Sequence, residues 1–207
     1  MTFHVWIAFL FAAGIVLIMP GPVIISVVSH SLAHGRRAVI PMVAGVTLGD
    51  LTAMSVSLLG LGTLLSASAT LFSILKFIGA LYLIFLGVKL WLSDPGAGHL
   101  DTAFEMRSKR SLACKLYLTT TLNPKTIAFF VAFLPQFVNP AAPVRPQLLI
   151  LGTTFLVMSA INSGSYAFFA GRLREKMQSR SVRQWINRCG GTALIGAGVL
   201  TATVHRS

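Results

Sequence analysis

Two prolines flanking a glycine, Pro20-Gly21-Pro22, lie inside the long apolar run 5–28. About 20 apolar residues are enough to cross the hydrocarbon core of a bilayer as a helix. A proline inside a helix donates no backbone hydrogen bond and clashes with the preceding turn. Backbone groups freed in lipid are costly unless protein or water satisfies them. The triplet therefore predicts a transmembrane helix that breaks here, with the break facing protein or a cavity of a transport pathway.

The composition is that of an integral membrane protein. Of the 207 residues, 55% are hydrophobic and 11% are charged, where a soluble domain carries about 25% charged residues. The net charge of +12 comes from basic residues grouped between apolar runs, which is typical of loops that face anionic lipid. Nucleic-acid binding is not expected. The cysteines, Cys114 and Cys189, form no CxxC motif, so no thiol-redox site is predicted.

Six apolar segments are expected to span the membrane. They cover residues 5–28, 38–62, 71–92, 112–134, 147–170 and 185–204. The links between the later spans are expected to be a short loop at 63–70, a polar cytoplasmic link at 93–111, a proline-rich turn at 135–146 and a basic linker at 171–184.

The basic residues predict the orientation. Three links carry most of them, with Arg36 and Arg37 in the first, Arg107, Lys109 and Arg110 in the second, and Arg172, Arg174, Lys176, Arg180 and Arg183 in the third. The positive-inside rule assigns these links to the cytoplasm. Both termini are then expected outside the cytoplasm, in a multi-pass protein of the bacterial inner membrane.

The two halves of the sequence share an order of features. In each, a proline interrupts the first of three predicted spans, Pro22 in one half and Pro124 in the other. Inverted repeats with interrupted helices at matching positions indicate the substrate site of a secondary transporter. The alternative is that apolar spans resemble one another through composition alone. The expected fold is all-α, one transmembrane domain of two inverted three-helix repeats at 1–92 and 112–207.

Small residues recur every fourth position on two predicted spans. Gly45, Gly49 and Ala53 form one such ridge, and Ala193 and Ala197 form another. A ridge of this kind lets a second helix approach closely. The partner is either a helix of the same chain or a second copy in a homodimer, and the sequence does not separate the two.

Several polar residues within the spans are candidates for a substrate or ion pathway. Asp50 lies in the middle of the second span and Lys125 directly after Asn123-Pro124. Ionisable residues inside the membrane face a cavity or a partner. Asp50 is a candidate proton acceptor or counter-charge for an ammonium, and Lys125 binds a substrate carboxylate or pairs with Asp50. The structural alternatives are a hydrogen-bonded neutral Asp50 and a snorkelling lysine. Asn162 lines the same cavity or bonds a neighbouring helix, and the same two alternatives hold for Ser163, Ser165 and Tyr166 on that span.

Catalytic and metal motifs are missing from the sequence. It contains no Ser-His-Asp set, HExxH motif or phosphate-binding glycine loop, so neither an enzyme nor a cofactor is expected. The histidines lie in links or near the ends without metal-ligand spacing, so no metal site is expected. Coupling to an ion gradient is the simplest energy source.

Six short motifs in order resemble the bacterial lysine exporter and homoserine/threonine efflux family (LysE/RhtB type). They are Pro20-Gly21-Pro22, Gly35-Arg36-Arg37, Gly45 with Gly49, the GALYLIFLG run at 79–87, Asn123-Pro124-Lys125 and Leu134-Pro135-Gln136-Phe137. The resemblance implies a dimeric exporter of amino acids or derivatives, such as homoserine, homoserine lactone or threonine, driven by the proton-motive force. Many relatives carry a polar residue directly after the Pro-Gly-Pro triplet, where this chain has Val23.

Two other functions remain open at this point. One is export of a different cation, a metal ion or a quaternary amine, although clustered Cys, His or acidic ligands for a metal are missing. The other is a membrane-embedded enzyme, which would need an intramembrane nucleophile or a CxxC motif. The broken-helix site is predicted at Pro20, Gly21, Pro22, Asp50, Asn123, Pro124, Lys125 and Asn162.

Overall fold

The computed structural model describes residues 1–19, 21–67, 69–93, 108–139, 142–170 and 180–203. Every regular element in these ranges is helical. The α-helices are α1 (Phe3–Ile18), α2 (Pro22–His34), α3 (Val39–Ala67), α4 (Ala69–Leu92), α5 (Lys109–Thr121), α6 (Pro124–Ala128), α7 (Val144–Phe168) and α8 (Arg180–Thr203). A 3-10 turn, Gly35–Ala38, joins α2 to α3, and a π-helix, Phe129–Phe133, and a 3-10 turn, Leu134–Phe137, continue α6.

The outer surface of the described helices is strongly apolar. Large hydrophobic side chains on α1, α3, α4 and α7 are largely exposed, among them Phe11 (72%), Ile40 (81%), Leu81 (66%) and Leu149 (70%). A soluble monomer rarely exposes large contiguous apolar patches. The apolar exterior is the kind of surface that lipid covers.

Two helical stretches of the described chain are long and apolar enough to cross a membrane, Pro22–Gly60 and Val144–Phe168. Two shorter apolar helices, Phe3–Ile18 and Phe77–Leu92, accompany them. The all-helical class is therefore confirmed for the described residues, while the six-span inverted-repeat arrangement stays a prediction.

Both predicted interruptions are breaks between helices. α1 ends at Ile18 and α2 begins at Pro22; α5 ends at Thr121 and α6 begins at Pro124. Each proline opens the second half-helix, where its missing N–H costs nothing because the first helical N–H groups have no intrahelical partner. Proline thus sets where the chain resumes helical structure. Pro20 lies outside the described residues.

The predicted loop at 63–70 is wrong. α3 continues to Ala67 and α4 begins at Ala69. The segment contains neither glycine nor proline, and small residues with serine and threonine do not by themselves stop a helix. Of the predicted polar link 93–111, residues 94–107 lie outside the described part, and α5 already begins at Lys109.

The predicted turn at 135–146 is also too long. Pro135 lies in the 3-10 turn that follows the π-helix, and Pro146 lies in the first turn of α7, where proline is tolerated. The predicted basic linker at 171–184 is too long at its C-terminal end, because α8 already begins at Arg180. Residues 171–179 lie outside the described part.

The glycines of α3 bring its backbone against α5 of the same chain. A Cβ atom at Gly45 would overlap the carbonyl oxygen of Ala113, and one at Gly49 would lie 2.8 Å from the carbonyl oxygen of Tyr117. Ala53, further along α3, is buried in the main apolar cluster. The α3 ridge therefore packs within the chain, the first of the two predicted uses.

A second close contact joins α4 and α8, through residues other than the predicted pair. A Cβ atom at Gly87 would lie 2.7 Å from the carbonyl oxygen of Gly191, and one at Gly198 would lie 2.7 Å from that of Ala80. Ala197 instead packs on the main apolar cluster, and Ala193 is half-buried. With 3.6 residues per turn, Ala193 and Ala197 lie on the side of α8 opposite to Gly191 and Gly198.

Replacing Gly45 with alanine is expected to destabilise the protein, because the methyl group meets backbone that cannot move aside. Overpacking of this kind costs about 1–3 kcal/mol. Gly60→Ala, on the same helix with no atom within 4 Å of the added Cβ, is the matched control. It should stabilise by up to about 1 kcal/mol through helix propensity. Thermal unfolding in detergent should show opposite shifts, and two shifts of the same sign would contradict the packing.

Candidate functional site

The end of α1 is held by the side chain of Lys125. Its Nζ donates hydrogen bonds to the carbonyl oxygens of Val16 (2.9 Å) and Met19 (3.1 Å). These carbonyls lie at the end of a helix, where no intrahelical N–H reaches them. A helix C-terminus also carries a partial negative charge that favours a cation. Lys125, which lies directly after the second break, therefore supplies hydrogen bonds to carbonyl oxygens that the first break leaves without a helical partner.

Two side chains of α7 complete this arrangement. Asn162 Nδ2 donates to the carbonyl oxygen of Leu17 (2.9 Å), and the Tyr166 hydroxyl donates to that of Ile18 (2.7 Å). Together with Lys125, they provide a donor for each of the four consecutive carbonyls at 16–19. The requirement that freed backbone groups be satisfied by protein is met here by other helices.

The second break is satisfied mainly by its own backbone. The N–H of Leu122 donates to Leu118 O (3.0 Å), and the N–H of Asn123 donates to Thr120 O (3.1 Å). The side chain of Asn123 then accepts from the N–H of Lys125 (3.2 Å) and caps α6, a favoured role of asparagine. This cap fixes where Lys125 leaves the backbone.

Asp50 is buried, at 3% exposure, on the face of α3 that meets α7. The hydroxyl of Ser159 donates a hydrogen bond to its Oδ2. Ser159 in turn lies one turn before Ser163, whose hydroxyl donates to Ser159 O (2.8 Å). The buried carboxyl group thus has a polar partner, as buried polar groups require.

Asp50 and Lys125 face the same small cavity. Its volume is about 30 Å³, and its polar lining comprises Asp50, Thr120, Asn123, Lys125, Thr126, Ser159, Asn162 and Ser163. The space is enough for about one or two water molecules. The two charged groups are not within 4.0 Å of each other; each is bonded elsewhere, Lys125 to α1 and Asp50 to Ser159. Direct pairing with Asp50, one of the two alternatives for Lys125, is therefore absent between these two described residues.

The hydroxyl of Thr120 in this lining is buried without a hydrogen-bond partner. Thr120 is 1% exposed, and its Oγ1 makes no hydrogen bond. An unsatisfied buried hydroxyl costs about 1–3 kcal/mol. A polar guest in the cavity would remove this cost.

A larger cavity of about 360 Å³ lies on the other side of Lys125. Both helix breaks line it, through Met19, Gly21 and Pro22 from one and Asn123, Pro124 and Lys125 from the other. The remaining wall is mostly apolar and comes from α4 and α8, with Tyr82, Phe85, Leu86, Leu90 and Leu194. Its volume falls within the usual range of small-molecule sites.

The structure brings together the predicted site residues that it describes. Asp50, Asn123, Lys125 and Asn162 line the small cavity; Gly21, Pro22, Asn123, Pro124 and Lys125 line the large one. Pro20 lies outside the described residues. Their role in transport stays a prediction.

Sequence reasoning missed two contributors to the site, Thr120 and Ser159. Ser159, Asn162, Ser163 and Tyr166 occupy positions i, i+3, i+4 and i+7 along α7. This spacing puts them on one helix face, and it would have identified Ser159. Thr120 carried no such signal, because its burial depends on the approach of α5 to α3.

Comparison with known proteins identifies similar sequences along nearly the whole chain. A family model described as "LysE type translocator" matches residues 14–204. The homoserine/homoserine lactone efflux protein of Salmonella typhimurium is 33% identical over 207 residues, covering 100% of both chains. The leucine efflux protein of Klebsiella pneumoniae is 31% identical over 212 aligned positions, covering 97% of this chain and 95% of the relative.

An uncharacterized membrane protein of Vibrio cholerae is 32% identical over 203 residues, covering 98% of each chain. No solved structure matches the chain.

Proposed function

Since the chain belongs to the family of LysE type translocators, a family of membrane transporters, we propose that it exports a small amino acid or amino-acid derivative across the bacterial cytoplasmic membrane. Relatives that align over nearly their full length are named efflux proteins for homoserine, homoserine lactone and leucine. Substrates of this class are therefore the first to test for this chain.

The observation that carries the proposal is the position of Lys125 at the meeting point of the two breaks. Its ammonium group borders both cavities and is held by carbonyls rather than by a carboxylate. An α-amino acid has a carboxylate that complements the ammonium group and an ammonium that complements helix-end carbonyls. In low dielectric these interactions are stronger than in water.

Asp50 is proposed to carry the coupling proton. Asp50 supplies the carboxyl group of the small cavity, which has room for a water molecule. The Thr120 hydroxyl in the same cavity has no hydrogen-bond partner. Water and hydroxyl groups conduct protons between titratable groups inside membranes. Gradient-driven export would then alternate proton and substrate occupancy of neighbouring cavities.

The proposed architecture is two inverted repeats with the basic links in the cytoplasm. The order of elements supports it, since a broken helix followed by two long helices occurs in each half of the described chain. The end of α2 also meets the end of α7, where the Arg36 guanidinium lies 4.4 Å from the centre of the Phe168 ring. Arg36 therefore lies beside the residue that ends α7. The positive-inside rule assigns the link that carries Arg36 and the basic link that follows α7 in the sequence to the same side of the membrane.

Export of a metal ion or quaternary amine is less well supported. A cation would enter cavities bordered by the Lys125 ammonium group, and like charges in a low-dielectric site repel strongly.

Everted membrane vesicles that contain the protein test the proposal. With an imposed proton gradient, inside acidic, they should accumulate radiolabelled leucine, homoserine or threonine, and a protonophore should abolish the accumulation. Vesicles from cells without the protein are the control. Accumulation of a metal ion or quaternary amine with no amino acid would contradict the proposal.

A further inference from the structure

We infer that the 360 Å³ cavity holds the side chain of the transported amino acid, and that Lys125 separates this subsite from the Asp50 cavity until substrate arrives. The inference rests on the proposed function and specifies its substrate class, an α-amino acid with a free carboxylate and an uncharged, mainly aliphatic side chain.

Lys125 and Asn123 are the residues that place the two cavities side by side. Both line the small polar cavity and the large apolar one. Asn123 is held by its cap on α6, but the Lys125 side chain has rotatable bonds and is anchored only through Nζ. Movement of this one side chain would join the two spaces.

The two acceptors of Lys125 belong to different cavities. Val16 lines the small one and Met19 the large one. A substrate carboxylate entering the large cavity would draw the ammonium group of Lys125 away from Met19. The substrate's own ammonium group can then donate to the carbonyl oxygen of Met19. Each hydrogen bond lost by the protein is replaced by one to the substrate, so no buried polar group is left unsatisfied.

The wall opposite Lys125 decides which side chains fit. Phe85, Leu86 and Leu90 lie on one face of α4, and Leu194 of α8 closes the cavity beside them. These four apolar side chains offer van der Waals contact to an aliphatic chain, and a charged side chain buried against them would lose hydration without gaining a partner among them. Lys89, at the rim of the same cavity, would repel a cationic side chain.

The test compares side-chain selectivity in everted vesicles. Leu86→Phe, which fills part of the cavity, should lower the kcat/KM for leucine about tenfold or more relative to that for alanine, the usual effect of removing room for a few methylenes. Leu81→Phe, an exposed position on the same helix, should leave the ratio unchanged. Leucine amide and leucine methyl ester should compete at least about tenfold less well than leucine. An unchanged leucine-to-alanine ratio in Leu86→Phe would overturn the inference.

A labelling experiment covers the case in which Leu86→Phe fails to fold. Cys114 and Cys189 are replaced by alanine and Leu90 by cysteine, and the new thiol is reacted with N-ethylmaleimide. Leucine should slow the labelling and leucine amide should not. Labelling that leucine leaves unchanged, in protein that still transports leucine, would assign the cavity to lipid and overturn the inference. If the wild type transports no amino acid at all, the proposed function itself has failed.

Discussion

Replacing Lys125 with methionine is expected to abolish amino-acid transport, lowering kcat/KM by about 100-fold or more. The variant keeps an apolar side chain of similar length but removes a charge-assisted partner for the substrate carboxylate, a contact of about 1.5–3 kcal/mol. It also leaves the carbonyls of Val16 and Met19 without their donor. Each buried carbonyl left unsatisfied costs about 1–3 kcal/mol, so the end of α1 should become less stable as well.

The measurement is initial-rate uptake by everted vesicles, normalised to protein amount, with thermal unfolding in detergent for the second effect. Lys109→Met, at an exposed position that begins α5, is the control and should transport as the wild type does. Lys125→Arg keeps the charge and should retain part of the activity and most of the stability. If Lys125→Met transported normally, neither the substrate contact nor the helix-end anchor would be needed.

Replacing Asp50 with asparagine is expected to separate exchange from accumulation. Asparagine has nearly the same shape and its carbonyl oxygen can still accept from Ser159, so folding should be largely preserved. The side chain no longer takes up or releases a proton. Gradient-driven accumulation of substrate should fall to the level set by exchange alone, while exchange of internal for external substrate continues at a comparable rate.

Counterflow and gradient-driven uptake, measured on the same vesicles, separate these two activities. Asp50→Glu keeps a titratable carboxyl group and should restore part of the gradient-driven accumulation. If Asp50→Asn accumulated substrate as the wild type does, Asp50 would have no part in coupling. If Asp50→Asn lost both activities while its thermal unfolding matched that of the wild type, Asp50 would act in substrate binding.

The positions of the two helix breaks could be predicted from sequence because proline acts locally. Pro22 and Pro124 each interrupt an apolar run, and each opens a new helix. The same local rule predicts that Pro146 belongs to the non-helical link before α7. Pro146 instead lies in the first turn of that helix. Proline marks a helix boundary in both cases, and the pattern alone does not say on which side of the proline the helix lies.

The way in which the breaks are satisfied could not be predicted, because it depends on contacts between residues far apart in the chain. Lys125 reaches carbonyls more than a hundred positions earlier. Its charge suggested two partners, a substrate carboxylate or Asp50, and neither choice included a helix end. The charge of Asp50 within an apolar span indicates a functional residue, whereas its partner Ser159 is uncharged and gives no such signal.

The helix contacts show the same limit. The every-fourth-residue spacing of Gly45 and Gly49 identified a real packing surface, whose partner on α5 only the structure reveals. On α8 the rule selected Ala193 and Ala197, while the closest approach is made by Gly191 and Gly198, seven residues apart on another face. Glycine permits a closer backbone approach than alanine, and the spacing rule gave the two residue types equal weight.

Binding of radiolabelled leucine to the purified wild-type protein and to Lys125→Met most directly tests the assignment of the substrate site to the meeting point of the two helix breaks. The wild type should bind leucine saturably, leucine amide should compete poorly, and Lys125→Met should bind at least about 100-fold more weakly, a loss of about 2.7 kcal/mol. Equal affinities of the wild type and Lys125→Met, each measured well below its own unfolding temperature, would contradict the assignment.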